Sequence, residues 1–216
     1  NTPNNKSYWR AALSNKQNYL LGFLTNFLST PIMILGALWG VRYLTETKSI
    51  SIHSATWCCS LLFIGMIIGS PVFGWISDII KSRKIPLYFG ALGSLVISML
   101  IIDVHSYTGI LMPILFFSLG FLTASQVLTY TMIIELNPPE SCAFSESIAS
   151  TIIMSSGAIF QPLFGFLLSH NLIITNSAHN LIVNNHNYFQ AMLIFPVLFV
   201  ISIILLVFSK ESATLN

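Results

Sequence analysis

The sequence predicts an all-α integral membrane protein with six transmembrane helices, and three observations predict it. Of 216 residues, 54% are hydrophobic, and the mean hydropathy is +0.77. Only nine bases and seven acids occur, where a soluble domain of this size carries about 54 charged residues. The charges are spaced so that they leave intervals of about 20 apolar residues, the length needed to cross a hydrocarbon core about 30 Å thick. A net charge of +2 cannot neutralise a run of phosphates, and so much apolar surface must be buried. A disordered chain and a nucleic-acid binder are therefore both excluded.

The elements follow from the charges in order. Residues 1–16 are polar and read as a cytoplasmic linker, not as a secretory signal, because they lack an apolar h-region. Span one is expected over residues 19–43, span two over 55–79 with Asp78 at its end, and span three over 86–102 between Lys84 and Asp103. Span four is expected over 108–135. Between Glu146 and Lys210 no Asp, Glu, Lys or Arg occurs, yet the stretch is too long for one helix. Three histidines and six asparagines within 170–187 divide it into span five (147–169) and span six (188–209), and 210–216 remain as a cytoplasmic tail. Backbone left unpaired in lipid costs several kcal/mol per group, so the spans are helices. The period-two alternation of a barrel is missing from the apolar runs.

Six spans place both termini and the loops after spans two and four on one side of the membrane. That side holds Lys6, Arg10, Lys16, Lys81, Arg83, Lys84 and Lys210, against Arg42 and Lys48 on the other. This bias predicts a multi-pass protein of the cytoplasmic (inner) membrane with both termini in the cytoplasm. Trp39, Tyr43, Trp57, Tyr107 and Tyr188 then form an outer aromatic belt, and Tyr19, Trp75 and Tyr88 an inner one.

Several chemistries are excluded by placement. His53, His105, His170, His179 and His186 all fall in expected outer loops, too shallow for haem ligation and without the spacing of a metal site. Ser155, Ser156 and Gly157 lack the first glycine of an intramembrane serine protease and have no histidine at their depth. Cys58, Cys59 and Cys142 offer neither a disulfide framework nor a CxxC motif. No GxxxxGK[ST] loop is present for ATP. The expectation is a non-enzyme without metal or cofactor.

Small residues mark helix contacts: Gly36 with Gly40, Gly65 with Gly69, and Gly120 with Ala124 are spaced for close backbone approach. Pro31, Pro71, Pro113, Pro162 and Pro196 lie in five of the six spans and are expected to interrupt their helices, as in a bundle that bends.

The most informative segment is the loop after span two. Gly74, Ile76, Asp78 and Arg83, extended by Lys84, match in kind the pattern G-x-L-x-D-[RK]-x-G-[RK]-[RK]. Ile79 stands for the first base, Lys81 for the second glycine and Ser82 for one of the final bases. In this the segment resembles the signature loop of the major facilitator superfamily. Residues 31–44, with Leu38, Trp39 and Gly40 before Tyr43 and Leu44, look like helix seven of bacterial members. Residues 135–139 are similar to their turn between helices ten and eleven, and 157–165 to their helix eleven. Ser141 with Cys142, and Glu146, depart from that pattern.

The resemblance, over residues 14–211, implies that the six spans are helices seven to twelve of a twelve-helix secondary transporter. Spans one to three and four to six would be its inverted three-helix repeats. The partners implied are an N-terminal six-helix half, the lipid bilayer and a small-molecule solute moved by alternating access; no nucleic acid is among them. By the same resemblance spans one and four line the cavity, which makes Asn26, Thr30, Ser125, Gln126, Thr129 and Tyr130 substrate-binding candidates, with Gln161 in span five beside them. Asn26 and Thr30 share one helix face, as do Gln126 and Tyr130. Gly74, Asp78, Arg83 and Lys84 would couple conformations in the signature loop. No charge lies mid-span, which leaves Glu135 and Glu146 as carboxylates at the inner end. The competing expectation is a truncated, non-transporting remnant or assembly partner.

Overall fold

The computed structural model describes residues 5–103, 110–169 and 185–211, and among them every regular element is helical. Six helices are long and apolar enough to cross a membrane: Lys16–Lys48, Ile52–Ile80, Lys84–Asp103, Leu111–Glu135, Pro139–Ser169 and Asn187–Phe208. These are spans one to six. His105, Tyr107, His170 and His179, with most of the expected polar loop at 170–187, lie outside the described residues. His53 sits in the exposed first turn of span two.

Span one starts earlier and ends later than its apolar run because capping carries the helix into polar sequence. Asn15 accepts from the Gln17 amide at the start, and Ser49 closes the far end in the left-handed region. The expected linker is helical too, over Asn5–Ser14. Its Ala12 is fully buried, and Trp9 packs on Phe144 of span five with ring centroids 4.6 Å apart.

The prolines do not act alike. Pro31 is followed by a π-helical segment, Ile32–Trp39, in which the Gly40 amide reaches back to the Leu35 carbonyl. Span six breaks at Leu193 because Pro196 has no N–H to offer Met192. Pro113 lies in the first turn of its helix, and Pro71 and Pro162 stay inside unbroken helices, which corrects the expectation that all five interrupt their spans. Span four narrows to a 3-10 turn at Ala124–Gln126. The Thr123 hydroxyl, bonded back to the Leu119 and Gly120 carbonyls, bends the helix there.

Span two packs mainly along span four, and span one along span five. Span six packs against spans one and three, and span three also against span four. Exchanging the first three spans with the last three maps this pattern onto itself. Leu24, Leu28, Leu62, Leu119, Leu128 and Phe199 belong to the common core. Glycine allows the closest approach: a Cβ on Gly120 would collide with the Leu62 carbonyl, and one on Gly65 with the Phe117 carbonyl. Spans one and four are the most enclosed, with 67% and 56% of their apolar windows buried, against 28% and 22% for spans two and five.

Candidate functional site

The loop after span two is built by a helix end that its own sequence makes tight. Lys81 takes φ 53° and ψ 38° and closes span two. The chain turns there and presents Arg83 inward. Arg83 Nη1 donates to Asp78 Oδ1 at 2.6 Å and to Ser77 Oγ at 2.9 Å, while Nη2 donates to Glu135 Oε1 at 2.9 Å. One guanidinium thus joins the end of span two to the end of span four.

The two carboxylates differ in environment. Asp78 is 68% exposed and Glu135 15%. The exposed pair contributes at most about 1 kcal/mol. Removing a partner of the buried one leaves an uncompensated charge at a cost of about 3–5 kcal/mol. The hydrogen bond that Arg83 donates to Glu135 is the main influence holding its guanidinium above its ordinary range, with burial opposing and Asp78 adding to it. Lys84 Nζ donates to the Ser209 carbonyl after span six at 2.9 Å. Gly74, on span two above this loop, has no neighbouring atom of the described residues within 4 Å of where a Cβ would stand. Glu146 is exposed on span five.

Further up, spans one, four and five meet in uncharged polar groups. Thr25 and Thr129 share a hydroxyl hydrogen bond between spans one and four, and Asn26 Nδ2 donates to the Ile152 carbonyl of span five. Asn26 lies ten residues into span one and Gln126 nine residues from the end of span four, so both are about 15 Å from the base-rich end. Asn26 Oδ1 and Gln126 Oε1 are buried without a hydrogen-bond partner among the described residues, each a cost of about 1–3 kcal/mol until a donor arrives.

The sequence-predicted candidates divide on this geometry. Asn26 and Gln126 offer unmatched acceptors, and Tyr130 and Gln161 are half-buried. Gln161 Nε2 donates to the Met33 carbonyl at 2.9 Å, inside the π-helical segment. Thr30, Ser125 and Thr129 have no exposed surface. Thr30 and Thr129 bond back to carbonyls of their own helices, while the Ser125 hydroxyl, also without a partner among the described residues, is turned away toward Gly90 of span three.

Sequence reasoning missed an amide cluster at the base-rich end. Asn137 Nδ2 donates to Asn18 Oδ1 at 2.7 Å, and Asn137 Oδ1 accepts from Asn15 Nδ2 at 2.9 Å, joining the start of span one to the turn after span four. Its only signal was an asparagine standing directly before Pro138 and Pro139.

Residues 19–215 match the family model described as Major Facilitator Superfamily. Seventy-two residues are 39% identical to a "Probable hexose phosphate transport protein" of Chlamydia muridarum (strain MoPn / Nigg), and 72 are 39% identical to the protein of the same description in Chlamydia trachomatis serovar D. Each match covers 33% of this chain and 16% of the relative, so the chain spans about a sixth of the length of the curated relatives it matches.

Proposed function

This chain belongs to the major facilitator superfamily, and from that premise we propose that its six spans are the C-terminal half of a secondary carrier moving a small polar solute by alternating access. The base-rich end faces the cytoplasm, as the distribution of Lys and Arg favours. The solute lies about midway through the bundle against Asn26 and Gln126, with Tyr130 and Gln161 beside them. The observation that carries this placement is the pair of buried, unmatched amide oxygens on spans one and four. A solute bearing hydroxyl or ammonium donors supplies what they lack.

A sugar phosphate is the first solute to test, because the curated relatives carry that description. Its hydroxyls suit the two acceptors. Its phosphate needs cations, and no base lies mid-span in this half, so the partner half would hold that charge.

Uptake of glucose 6-phosphate and of glucose by vesicles holding this chain with an N-terminal half tests the proposal. Asn26→Ala, Gln126→Ala and Tyr130→Ala are each expected to lower kcat/KM by about 2- to 10-fold, the loss of one net hydrogen bond. Asp78→Asn is expected to lower kcat with KM unchanged, since the loop is remote from the solute. Unchanged uptake in all three alanine variants removes the solute site. No uptake by the wild-type assembly, with both halves folded, favours a non-transporting assembly partner instead.

A further inference from the structure

We propose that Glu211, in the chain after span six, is a positioning residue that caps span three from across the bundle and fixes Arg83 between Asp78 and Glu135. The inference rests on the carrier reading for its consequence, though not for its geometry. Span three begins at Lys84 without an acid in its first turn. The first amides of a helix have no intrahelical acceptor and need another.

Two side chains supply it. Ser82 Oγ accepts from the Ile85 amide at 3.3 Å, a local cap. Glu211 Oε1 accepts from the Arg83 amide at 2.7 Å and, more weakly, from the Lys84 amide at 3.4 Å. Ser82 Oγ donates to Glu211 Oε2 at 3.3 Å. A carboxylate is also the group that the positive end of the helix dipole favours.

The segment carrying Glu211 is itself held on both sides. Lys84 Nζ binds the Ser209 carbonyl, and the Lys210 amide donates to Gln17 Oε1 of span one at 3.0 Å. Glu211 therefore arrives on a chain tied to spans one and three. From the backbone it anchors, the Arg83 side chain reaches Ser77 and Asp78 on span two and Glu135 on span four. The base-rich ends of spans one, two, three, four and six thus form one latched unit, in which Glu211 joins the tail to the Ser82 and Arg83 turn and Lys84 Nζ adds a second tie at Ser209. Loosening it leaves the solute contacts about 15 Å away untouched while letting the loop move independently of the helices it joins.

Two measurements test this with Glu211→Ala and Glu211→Gln. The first is amide hydrogen exchange at Arg83 and Lys84 in the lipid-reconstituted full chain, with helical content checked by circular dichroism. Exchange is expected to quicken at least tenfold in E211A and less than threefold in E211Q, whose amide oxygen still accepts. The second is uptake by the assembled carrier, where E211A is expected to lower kcat at least fivefold with KM within twofold, and E211Q less. Unchanged exchange in E211A overturns the cap. Quickened exchange with unchanged kcat overturns the positioning role, as does an equal loss in KM. Absence of wild-type uptake overturns the carrier reading and the positioning role with it, while the exchange result still decides the cap.

Discussion

Lys81 shows how one residue sets the loop. At φ 53° it occupies the left-handed region, which costs a side chain bearing Cβ about 1–2 kcal/mol. The superfamily pattern has glycine at this place, and the backbone explains why. Gly gives up about 0.5–1 kcal/mol of chain entropy in exchange, so Lys81→Gly should raise stability by about 0.5 kcal/mol. A shift in the thermal midpoint of the reconstituted chain measures this, and a clear fall would refute it. Asp78, Arg83 and Glu135 were each legible in the sequence as interfacial charges, but not their meeting at one guanidinium. Glu211 and the Asn18 and Asn137 pair were illegible, because more than a hundred residues separate the partners. Ser125 was legible as polar within an apolar helix, yet periodicity alone did not say that it points at Gly90.

At the scale of elements, the contact between spans two and four depends on glycines from both sides. Gly65 and Gly69 admit the Phe117 and Phe121 carbonyls of span four, and Gly120 admits the Leu62 carbonyl of span two. Gly120→Ala pushes a methyl group into rigid backbone rather than into a side chain that can rotate. It should destabilise by at least the 1–3 kcal/mol typical of overpacking, and denaturant unfolding of the reconstituted chain would reveal it; a change below about 0.5 kcal/mol would mean that the helices separate freely. The small-residue spacing marked Gly65, Gly69 and Gly120 as contact surfaces in the sequence, though not that the two surfaces meet each other. Helix ends were less so, because hydropathy stops at the first polar residues while the helix runs on to its cap at Ser49. The Asn5–Ser14 helix was missed for the same reason: it is polar on average, and Ala12 and Trp9 anchor it only through tertiary contact.

At the scale of the molecule, the six-span bundle is closed on some faces and open on others. Spans two and five leave broad apolar surfaces exposed, with Ile67 at 71%, Trp75 at 66% and Met154 at 66%. Surfaces this apolar need lipid or another protein surface to cover them. Gly74 lies on span two among these residues, and none of the described residues needs it to be glycine, since a Cβ there meets none of their atoms within 4 Å. In a helix interior Gly is about 1 kcal/mol less favourable than Ala, so among the described residues the half-buried Gly74 is a cost without a contact. If span two docks on the partner half at this point, that contact gives the glycine its use. Gly74→Leu should then leave the unfolding of the six-span chain alone unchanged or slightly more favourable, within about 0.5–1 kcal/mol. In the assembled carrier it should lower association of the halves and uptake at least tenfold. Gly120→Ala supplies the contrast, since it damages the chain before any partner is present. Co-purification of the two halves from the same membranes, followed by uptake, separates the cases; full association and uptake by the Gly74→Leu carrier would place this face of span two against lipid.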